Sequence, residues 1–376
     1  MPGIALPNPM TAFPLNMTLH TAPVVGQLPT GSHNSITDVP GVRVGHATLA
    51  QDHIQTGVTV IYPHSQDMFC NKVPAGVSII NGFGKSVGLL QLQELGVIET
   101  PIALTNTFSV PVVAQAQIRQ AISANPQIGR EWSTVNPMVL ECNDGYLNDI
   151  QAMAVSEADY LQACQNAGVE FEQGSVGAGR GMSCFGMKGG IGSASRIAAQ
   201  EGALAGSTPD YTVGAIVLSN FGKLRNLRAG DTVTGPDIKR RMALRGARLP
   251  AQKDMIAQEP DKGSIIMVLA TDAPLDARQL RRLSMRAAAG LARTGSSYGH
   301  GSGDIAIAFS TAMRIGQELQ HVHVPVQTLH EQQLDPLFDA AAEATEQAIL
   351  HSLWAATAVT GRNGNTRLPI TDWLQD

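Results

Sequence analysis

The sequence predicts a layered protein of the α/β class, and three features carry that prediction. Short apolar, β-branched runs alternate with longer helical patterns along most of the chain. Several of those runs, Ser264-Ile-Ile-Met-Val-Leu-Ala above all, are apolar at nearly every position, as in strands buried on both faces, which puts helices outside the sheets. Of the 376 residues 43% are hydrophobic and 15% charged, enough apolar material for a large core and too little charge for a disordered chain.

A Pro-punctuated arm occupies residues 1–35, and a single catalytic domain is expected over 36–376. Strands are expected at 42–48 and 57–62, where Val, Ile and Thr recur, and again at 76–80 before a Gly-rich turn. The Leu-rich 86–95 reads as a helix, 102–105 as a strand, and the Ala/Gln-rich 112–123 as a second helix. Met138-Val-Leu-Glu-Cys142 forms the next strand. Ser156, followed three residues later by Asp159, marks the start of a helix over 157–167. Strands at 213–219, 265–270 and 305–310 and helices at 277–292 and 334–357 complete the pattern. Between Phe221 and Gly263 the composition shifts to ten Lys and Arg among Gly235, Pro236, Pro250 and Pro260, which reads as a solvated linker. Five acidic residues offset half of its charge and no aromatic interleaves it, so it does not read as a nucleic-acid site.

A net charge of -5 and a pI near 6.1 supply no positive field for a nucleic acid or for an anionic membrane surface. The four cysteines stand far apart, without a CxxC, which argues against a zinc site or a disulfide scaffold and for a reducing compartment. No Lys or Arg precedes Arg43, so a conventional signal peptide is not expected, and no run approaches the roughly 18 apolar residues of a membrane span. A cytoplasmic protein is expected.

Several motifs fail when counted. Gly82-Phe-Gly84-Lys85-Ser86 lacks the Gly a phosphate loop needs at position 79, which is Ile, and Gly82, Gly84 and Gly88 miss the dinucleotide spacing by one residue. His330-Glu331 lacks a second His at 334, and His321 and His323 have no acidic partner at ligand spacing, so no metal is expected. Gly84-Lys-Ser86-Val-Gly88 does satisfy G-x-S-x-G between a strand and a helix, which leaves an α/β-hydrolase-type esterase using Ser86 as an alternative. Its His partner is hard to place, since His351 lies within a helical pattern.

The junction Gly263-Ser264 carries more. Ser264 opens an apolar strand at the end of a polar segment, and Gly263 has no side chain to hinder approach to its carbonyl. Attack by the hydroxyl on that carbonyl would move the acyl group from nitrogen to oxygen, and hydrolysis of the ester would free Ser264 as a new N-terminus. Its α-amine, with an ordinary pKa of about 7.7–8.0, would then be a built-in base near neutral pH.

With this junction, the chain resembles the self-processing aminopeptidases of the L-aminopeptidase/D-esterase and β-peptidyl aminopeptidase (DmpA-like) family. The resemblance spans 36–361 and rests on separated motifs: Ile36-Thr-Asp-Val-Pro-Gly-Val-Arg-Val-Gly-His46, Glu141-Cys-Asn-Asp-Gly-Tyr146-Leu-Asn-Asp149, Gly177-Ala-Gly-x-Gly-Met182 with Lys188-Gly-Gly-Ile-Gly192, Asn220, Gly263-Ser264 and His300-Gly-Ser-Gly-Asp304. It implies an αββα sandwich, cleavage into an α chain of 1–263 and a β chain of 264–376, and a homotetramer. It also implies a metal- and cofactor-free hydrolysis of small peptides, amides or esters with a free amino group. Within it, Ser264 is the expected nucleophile, Asn220 an oxyanion donor, Glu141 the partner of the substrate ammonium, and Tyr146 a donor to the oxyanion or leaving group. Ser302 and Asp304, two apart at a strand start, would share one face as a relay; some relatives carry Glu at the latter position. A related ornithine-acetyltransferase-like acyltransferase is the other alternative, but it would be expected to carry Thr where this chain has Ser264.

Overall fold

The computed structural model describes residues 21–199, 210–244, 263–317 and 326–374. In chain order the principal elements are β1 (Arg43–Gln51), β2 (Ile54–Tyr62), β3 (Asn71–Gly82), α1 (Leu89–Leu95), β4 (Ile102–Asn106), α2 (Val110–Ala124), β5 (Met138–Cys142) and α3 (Glu157–Gln165). There follow β6 (Ser183–Cys184), β7 (Met187–Lys188), β8 (Gly190–Ala198), β9 (Tyr211–Asn220), α4 (Gly235–Leu244), β10 (Ser264–Thr271), α5 (Ala277–Arg293), β11 (Gly303–Ser310) and α6 (Asp335–Trp354). One sheet runs β1-β2-β4-β5 and the other β3-β11-β10-β9-β8. Among the described strands, β4–β5 and β10–β11 are the parallel pairs.

Alternation along β10 sorts the layers. Ile266 and Val268 face the other sheet, where they join a cluster with its Leu104 and Leu140 and with Ile305 and Ile307 of the neighbouring strand β11. Ile265, Met267 and Leu269 face the opposite way, onto Leu280, Leu283 and Leu291 of α5 and Ala344 and Leu353 of α6. On the outer face of the first sheet Val58, Val60 and Val139 meet Val113 of α2 and Tyr160 of α3. Helices therefore cover both outer faces of two stacked sheets, the expected αββα order. The capping read at Ser156 is present, with the Asp159 carboxylate accepting from the Ser156 N–H at 2.8 Å.

Three expectations need correction. The strand β8, Gly190-Ile-Gly-Ser-Ala-Ser-Arg-Ile-Ala198, was not expected, because its small residues lack the β-branched signature. Their smallness is what lets α6 approach: a Cβ on Gly192 would lie 2.0 Å from the Ala348 carbonyl oxygen. The segment from 221 is no solvated linker as far as 244. Leu227, Ala229 and Val233 are buried, and α4 turns Ile238 and Met242, one helical turn apart, into the core while its cations face outward. Residues 245–262 lie outside the described residues. The helix expected from Ser86 begins only at Leu89, after Gly88 in a left-handed conformation.

Two of the separated motifs meet in one knot. His46 on β1 takes the Thr59 hydroxyl at Nδ1 (2.9 Å) and places Nε2 3.0 Å from the Glu172 carbonyl, which assigns the ring proton to Nε2. Thr59 also accepts from the Ala178 N–H, and Gly177 at φ +51° has no space for a Cβ between Thr59 Oγ1 and His46 Nδ1. Burial pushes the imidazole from 6.5 down to about 4, against the pull of the Glu172 carbonyl. An unfolded chain thus protonates this ring near pH 6.5 and the folded chain only near 4. The stability it supports is complete above 6.5 and is lost as the pH falls through that window, by roughly 3 kcal/mol in all. Urea unfolding at pH 7 and pH 5 is expected to show a smaller loss in His46→Gln than in the wild type; equal slopes would remove His46 from the account.

Candidate active site

Sheet register gathers the site. Ser264 is the first residue of β10, paired across to Asn220, the last of β9, and on its other side to Gly303, the first of β11. The Gly303 N–H donates to Ser264 Oγ at 3.1 Å. Ser302 Oγ donates to Asp304 Oδ1 at 2.5 Å, both side chains buried, so the two-residue spacing does set them on one face. The shorter acid reaches Ser302 directly. Just beyond Asp304 the pairing with β3 slips by one residue, Asp304 facing Asn81 and Ile305 facing Ile79. Asn81, at that slip, bonds the Gly299 carbonyl at 3.1 Å and the Ser302 carbonyl, clamping the turn that delivers Ser302.

Asn220 is held at both ends of its amide. Oδ1 accepts from the Ser183 N–H at 2.8 Å and Nδ2 donates to the Asn143 carbonyl at 2.9 Å, leaving Nδ2 a second N–H. Lys188, fully buried, donates to the carbonyls of Gly179 (2.8 Å) and Gly189 (2.7 Å), tying the 177–182 turn to the hairpin that carries Ser183. Burial holds its ammonium well below the ordinary lysine range.

Glu141 lies within β5, on the neighbouring sheet, and is 4% exposed. Its Oε1 accepts the Lys85 N–H at 2.8 Å and its Oε2 the Thr107 hydroxyl, which orients the carboxylate and leaves it lone pairs for a further donor. The same turn donates the Phe83 N–H to the Ser302 carbonyl at 3.3 Å. The Gly-rich run that fails as a phosphate loop is thus the wall joining Glu141 to the Ser302 turn. Burial, and then the carboxylates of Glu141, Asp304 and Asp144, hold the Cys142 thiol well up. Asp144 itself is pushed up to about 7 by burial.

Tyr146 sits in the turn after β5 whose Asn143 carbonyl holds Asn220. Its ring lies 3.7 Å beneath the Arg367 guanidinium, and Asn365 donates to its carbonyl at 2.8 Å. The C-terminal residues 361–367 thereby brace this turn, a contribution without any signal in the sequence. Ser86 lies in the turn before α1, and the strand before it, β3, runs antiparallel to β11 rather than as the parallel strand of a nucleophile elbow. His351 Nδ1 is committed to the Ser193 carbonyl at 2.6 Å. Among the described residues no three His, Cys, Asp or Glu side chains stand together as metal ligands, and His321 and His323 lie outside them.

Residues 34–367 match the description of peptidase family S58. The β-peptidyl aminopeptidase BapA of Sphingosinicella microcystinivorans is 39% identical over 353 residues, covering 90% of this chain and 86% of that protein. Two solved structures superpose with a TM-score of 0.81, each covering 94% of this chain and 95% of the other. One is a Burkholderia sp. β-aminopeptidase at 37% identity, the other the L-aminopeptidase D-Ala-esterase/amidase of Ochrobactrum anthropi at 32%. The latter is described as a prototype of the serine aminopeptidases and a variant of the Ntn hydrolase fold.

Proposed function

The chain belongs to peptidase family S58, and from that premise we propose that Ser264, freed by cleavage after Gly263, is the nucleophile of this aminopeptidase. The enzyme is an N-terminal nucleophile hydrolase acting on peptides and amides, which leaves the acyltransferase and the Ser86 esterase without support. The observation that carries the assignment is the register: Ser264 Oγ at a strand start, 3.1 Å from the Gly303 N–H, with Asn220 directly across.

In turnover the freed α-amine of Ser264 takes the proton from Oγ as it attacks the substrate carbonyl, and the Ser302–Asp304 pair fixes the adjoining backbone and receives or returns that proton. The oxyanion lies against the second N–H of Asn220, with Tyr146 donating to it or to the leaving amine. As the C–N bond breaks, the proton taken from Oγ passes to the leaving amine, and water then hydrolyses the acyl ester. Glu141 pairs with the substrate ammonium, so only the residue bearing a free amine is positioned. The homotetramer belongs to the same proposal, and light scattering at about four times the chain mass checks it.

An alanine p-nitroanilide and its N-acetyl derivative test the anchor. A charge-assisted hydrogen bond of this kind is worth roughly 1.5–3 kcal/mol, or about ten- to a hundredfold in kcat/KM. The acetylated substrate should be refused, and Glu141→Gln should lose a similar factor on the free amine while still cutting itself. Equal rates on the two substrates would end the aminopeptidase assignment. Parallel p-nitroanilides of L-α, D-α and β residues sort the substrate classes for which its relatives are named.

A further inference from the structure

We propose that Lys85 is a specificity-determining residue whose ammonium receives a substrate carboxylate, so that the enzyme favours doubly charged short peptides over amides that carry the ammonium alone. The inference rests on the reading of Glu141 as the ammonium site. The backbone of Lys85 is pinned to that site, its N–H on Glu141 Oε1 at 2.8 Å. Its side chain turns outward and lays Nζ 4.0 Å over the ring of Phe83. Phe83 is itself 53% exposed, and its ring centroid lies 6.3 Å from that of His300, on the turn leading to Ser302.

Among the described residues Lys85 makes no ion pair. An ammonium resting on an aromatic face beside a deep carboxylate, without an acid of its own, is a cation free to serve a ligand. The 82–85 turn thus carries an apolar plate and a cation beside the buried carboxylate of Glu141. That polarity is complementary to a zwitterion. Residues in an extended chain advance about 3.3–3.6 Å each, so the two termini of a dipeptide lie about 7 Å apart, within the span of a pinned lysine and its four-carbon stem. A carboxylate reaches Lys85 either as the C-terminus of a dipeptide or as the side chain of an acidic first residue.

The test uses the processed enzyme, with Lys85→Ala and Lys85→Glu, on two substrate pairs. Alanyl-alanine against its C-terminal amide reports the first source, and aspartyl against alanyl p-nitroanilide the second. Within one pair the wild type should prefer the carboxylate-bearing member. Lys85→Ala should cut that ratio of kcat/KM about three- to tenfold, chiefly through KM, Lys85→Glu should cut it further, and rising salt should erode it in the wild type. A lysine that merely props the turn would lower both members of a pair alike. Ratios unchanged in the variants for both pairs overturn the inference while leaving the aminopeptidase intact. A wild type that ignores alanyl p-nitroanilide altogether overturns the parent reading and this one with it.

Discussion

Ser264→Ala is expected to run on a denaturing gel as one band of the full 39.7 kDa, where the wild type resolves into residues 1–263 and 264–376. Cleavage begins when Ser264 Oγ forms a bond to the Gly263 carbonyl carbon. The C–N bond then breaks, the Oγ proton ends on the freed amine, and water splits the resulting ester. Alanine has no atom to make the first bond. The same oxygen is the nucleophile of turnover, so activity on an alanine p-nitroanilide should fall by about 10⁴-fold or more, the scale seen when a hydrolase loses its attacking group. Ser264→Cys keeps a nucleophile in place and should still cut itself, which separates loss of chemistry from loss of fold. An Ala variant processed at the same bond would sink the assignment. A wild type that stays whole would instead describe a relative that binds an amine without cutting.

The strands that build the site were legible because their physics is local. In β10 and β11 nearly every residue is apolar and buried, and a strand with no polar face must lie between two layers. Ser264 and the Ser302–Asp304 pair were legible as departures from that pattern, polar groups at the very start of such strands. What escaped depends on partners distant in sequence. β8 is a strand because α6 demands small residues, a requirement written in Ala348 and Ser352 rather than in Gly192. α4 was hidden by the charges on its outer face, although Ile238 and Met242 carry the helical spacing. Thr107 and Lys85 each support Glu141 through one bond, and Asn81 holds the Ser302 turn through its single amide, contacts that leave no periodicity to read. Lys188 could be read only as part of a family motif; its role in bracing the hairpin behind Asn220 needs the two carbonyls it reaches.

Asn220 is the residue whose loss should next most reduce the rate, and its effect should fall on kcat. In the resting site its amide is already oriented, by the Ser183 N–H on one side and the Asn143 carbonyl on the other, and it faces Ser264 across the sheet. A donor fixed before the reaction costs nothing to reorganise when the carbonyl oxygen acquires charge, and in a site this buried that charge has little water to turn to. Removing one such donor typically costs about 10²–10³ in kcat. Asn220→Ala also strips partners from Ser183 and Asn143, so a drop there mixes chemistry with support. Asn220→Asp is the sharper variant: its carboxylate still accepts from the Ser183 N–H, but it has no N–H to offer and sets a negative charge against the oxyanion. We expect at least the same hundredfold loss in kcat for both, with KM for alanyl p-nitroanilide changed far less, because the interaction is made only as the tetrahedral intermediate forms. Fragments of the separately processed wild type and of each variant, compared by melting temperature, show whether the fold is retained. If Asn220→Asp folds, cuts itself and turns over within about fivefold of the wild type, the oxyanion is held elsewhere, and the Gly303 N–H on Ser264 is the next group to examine.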